Sequence, residues 1–196
     1  YKPLPTKGSL SEDFSSFSKF LTQGVYNIIK VRWCTLKLNS WNSIEDVSGN
    51  ILDLQVFPLP VPGKPPTYHW YEEEGMSIAL LIRSGNGKSI LYAPVIKTIT
   101  EELKKLMDEC NCIVFDGTFW DEEELIKYDP KGKRAKEIGH IPVKESLDIL
   151  INCKAKYKVY THINNTNPLN YPASSEYMHV LRAGILVAYD GMELSL

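Results

Sequence analysis

The chain has 196 residues, 43% hydrophobic and 23% charged, which suits one globular domain with a real core. A net charge of −2 excludes a general electrostatic attraction to nucleic acid, and no apolar run reaches the roughly 20 residues needed for membrane insertion as a helix. Cys34, Cys110, Cys112 and Cys153 form neither a CxxC pair nor a dense framework, so they read as reduced thiols of a cytoplasmic protein.

The start, Tyr1-Lys2-Pro3-Leu4-Pro5, lacks an initiator methionine and the apolar core of a signal peptide, and reads as that of a cut or truncated chain. Ser11 can cap a short helix carrying Phe14, Phe17 and Leu21 on one face, with Gly24 as its stop. Val31 to Leu38 and Ile51 to Leu59 alternate as strands. The prolines from Pro58 to Pro66 forbid regular structure, so 58–75 is expected to be a stiff Pro-rich and aromatic loop that contains Tyr68-His69-Trp70-Tyr71. Ser77 to Ile82 and Lys88 to Tyr92 are strands joined through Gly85-Asn86-Gly87, a hairpin signal. Thr98-Ile99-Thr100-Glu101 reads as a capping box for a helix to about Asp108.

Cys112 to Phe115 is a short buried strand ending at Asp116-Gly117-Thr118. Asp121-Glu122-Glu123-Glu124 suits an acidic first helical turn. Val143 to Ile151 reads as a helix, Lys158 to Thr161 as a strand, Ser174 to Arg182 as a helix ended by Gly184, and Ile185 to Tyr189 as a last strand. The order gives an α/β fold with a mixed sheet covered by helices on at least one face. Parallel strands in the second half would gather Asp116, His162 and Asp190 along one sheet edge.

His162 follows an apolar strand and precedes a turn crowded with amides, Asn164, Asn165 and Asn167. Those amides can hydrogen-bond a substrate carboxylate or satisfy the turn backbone. Asp116 can bind a metal, hold a metal-bound histidine, or bond its own turn. His140 follows Gly139 and can serve as acid, base, ligand or structural residue. His69 and His179 read as packing and as non-functional respectively. No P-loop, dinucleotide fingerprint or nucleophile elbow is present.

In order along the chain stand Val61-Pro62-Gly63-Lys64-Pro65-Pro66-x-Tyr68, Leu91-Tyr92-Ala93-Pro94, Asp116-Gly117-Thr118-Phe119-Trp120, Gly139-His140, His162-Ile163-Asn164-Asn165-Thr166-Asn167-Pro168 and Ala188-Tyr189-Asp190-Gly191-Met192-Glu193-Leu194. Together they resemble the coenzyme PQQ synthesis protein B family, a branch of the metallo-β-lactamase fold, from about Val31 to the last residue. The resemblance implies an α/β fold, the C-terminal half of a metallo-β-lactamase-like αββα sandwich. Residues 1–196 would then be one partial domain, completed by the missing N-terminal half or by a complementing chain.

It also implies pyrroloquinoline quinone (PQQ) biosynthesis, through iron-dependent hydroxylation of the tyrosine ring of a crosslinked Glu-Tyr precursor. The alternative is non-catalytic transport of PQQ or its precursor toward the periplasm. By resemblance His162 is a metal ligand for iron, with zinc a second candidate, and Asp116 and His140 are catalytic. Asn164, Asn165 and Asn167 would bind substrate. The aspartate–histidine metal pair and the cysteine cluster of the family's first half are absent from this chain. A metallo-hydrolase acting on phosphodiesters is a further reading, weakened by Ala93-Pro94 standing where the wider fold carries a bridging aspartate.

Overall fold

Strand residues of alternating burial build a sheet with two unlike faces. A computed structural model describes residues 2–3, 34–63 and 75–196. The helix expected from Ser11 to Gly24, the loop segment 64–74 and His69 lie outside the described residues. Short strands β1 (Lys2–Pro3) and β2 (Thr35–Leu36) pair in parallel. A seven-stranded sheet then places β3 (Asn42–Glu45), β4 (Ile51–Pro60), β5 (Ile78–Ser84), β6 (Ser89–Ala93), β7 (Cys112–Asp116), β8 (Tyr157–Thr161) and β9 (Leu186–Val187) side by side in chain order. Pairings up to β6 are antiparallel, and those from β6 to β9 are parallel. This is the expected mixed α/β sheet.

Each parallel step needs a crossover. Helices α1 (Glu101–Glu109), α2 (Val143–Asn152) and α3 (Ser175–Arg182) supply them. Thr100, not Thr98, caps α1 by accepting the Leu103 amide, and Ser174 caps α3 by accepting that of Tyr177. Leu103 and Met107 of α1 and Val143, Leu147 and Leu150 of α2 join Ala79, Leu81, Leu91, Ala93, Ile113, Phe115 and Tyr160 in the core. The opposite sheet face carries the cross-strand row Leu80, Tyr92 and Val114, with Ile82 and Ile90 beside it. Tyr92 there is 43% exposed. No helix among the described residues is long and apolar enough to cross a membrane.

Three expectations are corrected. Pro58 and Pro60 do not end β4 but pair opposite Leu80 and Ile78. The Pro58 carbonyl accepts the Asn39 amide, so this residue's missing N–H faces away from β5. Pro60, two residues on, points the same way, where β3 no longer runs, and the ladder to β5 survives. Residues 122–128 form successive turns instead of opening an α-helix, because Asp121 pairs with Lys127 and Lys144 while Glu124 turns inward. Strand β9 is only two residues long, since the chain leaves the ladder after the Ala188 amide bonds Tyr160 O and then turns at Tyr189–Met192.

Candidate metal centre

Parallel pairing sets Asp116 of β7 opposite Thr161 of β8, at one sheet edge. Gly117 permits the close approach there. A Cβ on it would meet Ile163 Cδ1 at 2.7 Å, Tyr160 Cβ at 2.8 Å and Thr161 O at 3.0 Å. His162, the next residue after β8, has a left-handed backbone with φ 59°, uncommon for a residue with a side chain. Strain of this kind collects where a side chain must be aimed.

Asp116 is fully buried, and its carboxylate accepts four hydrogen bonds. Oδ1 takes the Thr118 amide at 3.0 Å and the Thr118 hydroxyl at 2.7 Å. Oδ2 takes the Ile96 amide at 2.9 Å and His140 Nδ1 at 2.8 Å. His140 is delivered by a 3-10 turn (Ala135–Ile138) that ends at Gly139, φ 93°, a conformation open to glycine. Its side chain is 11% exposed, and its ring meets Phe119 edge-on, centroids 5.7 Å apart. A carboxylate engaged this way only accepts, so His140 carries its proton on Nδ1 and leaves Nε2 free.

The His140 and His162 rings stack at 5.3 Å with 21° between planes. Thr118 Oγ1 lies 3.1 Å from His140 Nδ1 and 2.7 Å from His162 Nδ1. Asp116, His140 and His162 each present a ligand atom, all within 4.8 Å of one another. Two imidazoles and one carboxylate form the donor set of non-haem iron sites, and imidazole also suits zinc. With each Asp116 oxygen already accepting two bonds, the imidazoles are the better donors and Asp116 their anchor.

The three asparagines part company. Asn167 is fully buried; its Nδ2 donates to Gly117 O at 2.8 Å and Thr118 O at 3.2 Å, and its Oδ1 accepts the Leu169 amide at 2.9 Å. Asn164 is half-buried, its amide bonding Thr118 O at 3.1 Å and its side chain donating to Thr166 Oγ1. Asn165 is exposed at the tip of the turn. Asp190, the third of the expected strand-end residues, lies apart from the histidines' ligand cluster. It lines an open cavity of about 510 Å3 beside His162, with Asn170, Tyr177 and Tyr189. His179 is exposed on α3.

Two residues of the site escape a reading of the sequence. Thr118 carried a signal, a hydroxyl two residues beyond a strand-end aspartate. Glu124 carried none, for nothing separates it from its acidic neighbours. It is buried, accepts the Trp120 amide at 2.6 Å and the Thr166 hydroxyl at 2.5 Å, and so clasps the His162 turn. Burial pushes its carboxyl above the ordinary glutamate range, against the lowering effect of those two bonds.

A family model, the beta-lactamase superfamily domain, matches residues 13–163. Coenzyme PQQ synthesis protein B of Nitrosococcus oceani is 32% identical over 179 residues, covering 85% of this chain and 57% of the relative. Its counterpart in Methylobacillus flagellatus is 39% identical over 126 residues, 62% of this chain and 41% of the relative. The chain thus spans about half the length of these curated relatives. The crystal structure of Zn2+-bound PqqB from Methylobacterium extorquens superposes with a TM-score of 0.75 at 27% identity, covering 94% of this chain and 62% of that one. A diphosphatase of the PhnP family, at TM-score 0.56 and 20% identity over 91% of this chain and 55% of that one, shares the fold. The resemblance carried by the sequence motifs is borne out. The chain therefore belongs to the beta-lactamase superfamily, and within it the curated relatives it resembles are coenzyme PQQ synthesis protein B.

Proposed function

We propose that this chain serves PQQ biosynthesis as one half of a metal-dependent hydroxylase acting on the tyrosine ring of a crosslinked Glu-Tyr precursor, contributing part of its metal site. The observation that carries the reading is the stacked His140–His162 pair, both rings anchored through Nδ1 on the buried Asp116–Thr118 unit. The similarity to PQQ synthesis protein B along 85% of the chain supplies the pathway.

The donor set fits a metal. His162 would hold it, His140 stands within ligand reach, and further ligands would come from the part of the relatives' length that this chain does not span. Iron, when bound, supplies the oxygen-dependent redox chemistry that ring hydroxylation requires; zinc, present in the M. extorquens structure, is the other candidate occupant. Asp116 fixes the Nδ1 proton of His140, which lets Nε2 of that ring take or give a proton. Asn165, open to solvent, and Asn164 beside it would receive a substrate carboxylate. Asn167 would hold the turn that presents them.

Replacing His162 by alanine in the intact protein is expected to abolish iron binding and tyrosine hydroxylation together, read by anaerobic Fe(II) titration and product analysis. Unchanged turnover would overturn the assignment.

A further inference from the structure

Thr118 Oγ1 is shared by three partners: Asp116 Oδ1 at 2.7 Å, His162 Nδ1 at 2.7 Å and His140 Nδ1 at 3.1 Å. A hydroxyl has one proton to give and two lone pairs with which to accept. Two arrangements satisfy the distances to Asp116 and His162. If the proton goes to His162 Nδ1, the Thr118 and Asp116 oxygens face each other at 2.7 Å with no hydrogen between them, in a fully buried place. That contact is repulsive, and the low local dielectric strengthens the repulsion. If the proton goes to Asp116, the bond is charge-assisted, and the hydroxyl lone pairs are left to accept from the imidazoles. His162 must then carry its proton on Nδ1.

We propose that Thr118 is a positioning residue that sets the tautomer of His162, its hydroxyl donating to Asp116 and accepting from His162 Nδ1–H, so that Nε2 keeps its lone pair for a metal. Asp116 reaches His140 directly and His162 only through Thr118. One buried carboxylate thereby orders both rings. His162 is the exposed member of the pair and has a left-handed backbone, so its ring needs an anchor from outside its own turn. The inference deepens the metal-site reading above, but its test needs neither metal nor substrate.

The test is long-range 1H–15N correlation NMR of the metal-free chain in alkaline buffer, which separates pyrrole-type from pyridine-type ring nitrogens. Wild type is expected to show a pyrrole-type Nδ1 and a pyridine-type Nε2 at both His140 and His162. Thr118→Val is expected to move His162 toward the Nε2–H form, the commoner one for free imidazole side chains, and to leave His140 unchanged. Thr118→Ser is expected to restore the wild-type pattern. A wild-type His162 protonated on Nε2 overturns the proposal, as does a folded Thr118→Val protein that keeps Nδ1–H. Should the valine variant fail to fold, the wild-type spectrum alone decides. A correct tautomer with no hydroxylation by the intact protein would sink the proposed activity and leave the role of Thr118 standing.

Discussion

Glu124 shows how a single buried carboxyl ties two loops together and makes stability depend on pH. Burial raises its pKa, and the Thr166 hydroxyl and Trp120 amide offset that only in part. A carboxyl with a higher pKa folded than unfolded holds its proton more tightly in the native state. Its contribution is therefore favourable in acid, declines as pH climbs from the unfolded value through the folded one, and stays unfavourable above. Glutamine at this position keeps an oxygen for the Trp120 amide and offers a donor to Thr166. Glu124→Gln is expected to be at least as stable as wild type at neutral pH, with the difference shrinking below the ordinary glutamate range. Urea midpoints measured across that range check it, and a difference that grows in acid would refute it.

The turn between β8 and α3 does two jobs with one residue type. Asn167 closes three buried bonds, to Gly117 O, Thr118 O and the Leu169 amide, and so locks the His162 turn to the Asp116 turn. Asn167→Ala would strand those groups away from water, at about 3 kcal/mol from the usual cost of unsatisfied buried partners. Asn165→Ala, at an exposed position, is expected to change stability by less than about 0.5 kcal/mol while weakening substrate capture. Denaturation midpoints of the two variants separate a structural amide from one free to bind. An unaffected Asn167→Ala protein would refute the clamp. In sequence the three amides are indistinguishable, because each is a polar residue in a turn; which one is buried depends on the turn after β7, about fifty residues earlier. The same limit explains β4: its alternation was legible, but whether Pro58 and Pro60 break it depended on where β3 stops.

The sheet as a unit has one face sealed by α1 and α2 and another carrying Leu80, Ile82, Ile90, Tyr92 and Val114. An apolar row of this kind normally has a partner. The chain spans 57% of the N. oceani relative, and we propose that the remaining length covers this face and completes the metal site. The 196-residue chain alone is then expected to associate with itself as concentration rises, and Tyr92→Lys to reduce that association. Sedimentation velocity over a range of concentrations checks this, and a monomer throughout would remove the argument.

Local pattern was enough for the strands from β4 to β8, for all three crossover helices to within a residue or two at most ends, for the α/β class and for the family resemblance. Each of these rests on periodicity, caps, turn residues or motifs within a few positions of one another. The meeting of Asp116 with His162 was foreseeable once the parallel strands were placed, since strand tips share an edge, whereas His140 arrives from a 3-10 turn outside the sheet and only the family resemblance pointed to it. The partners of Thr118, Glu124 and Asn167 were not. Thr118 and His162 stand 44 residues apart, Glu124 and Thr166 stand 42, and Asn167 and Gly117 stand 50. Burial and the sharing of a single proton are properties of groups brought together in space, and only the tertiary structure decides them.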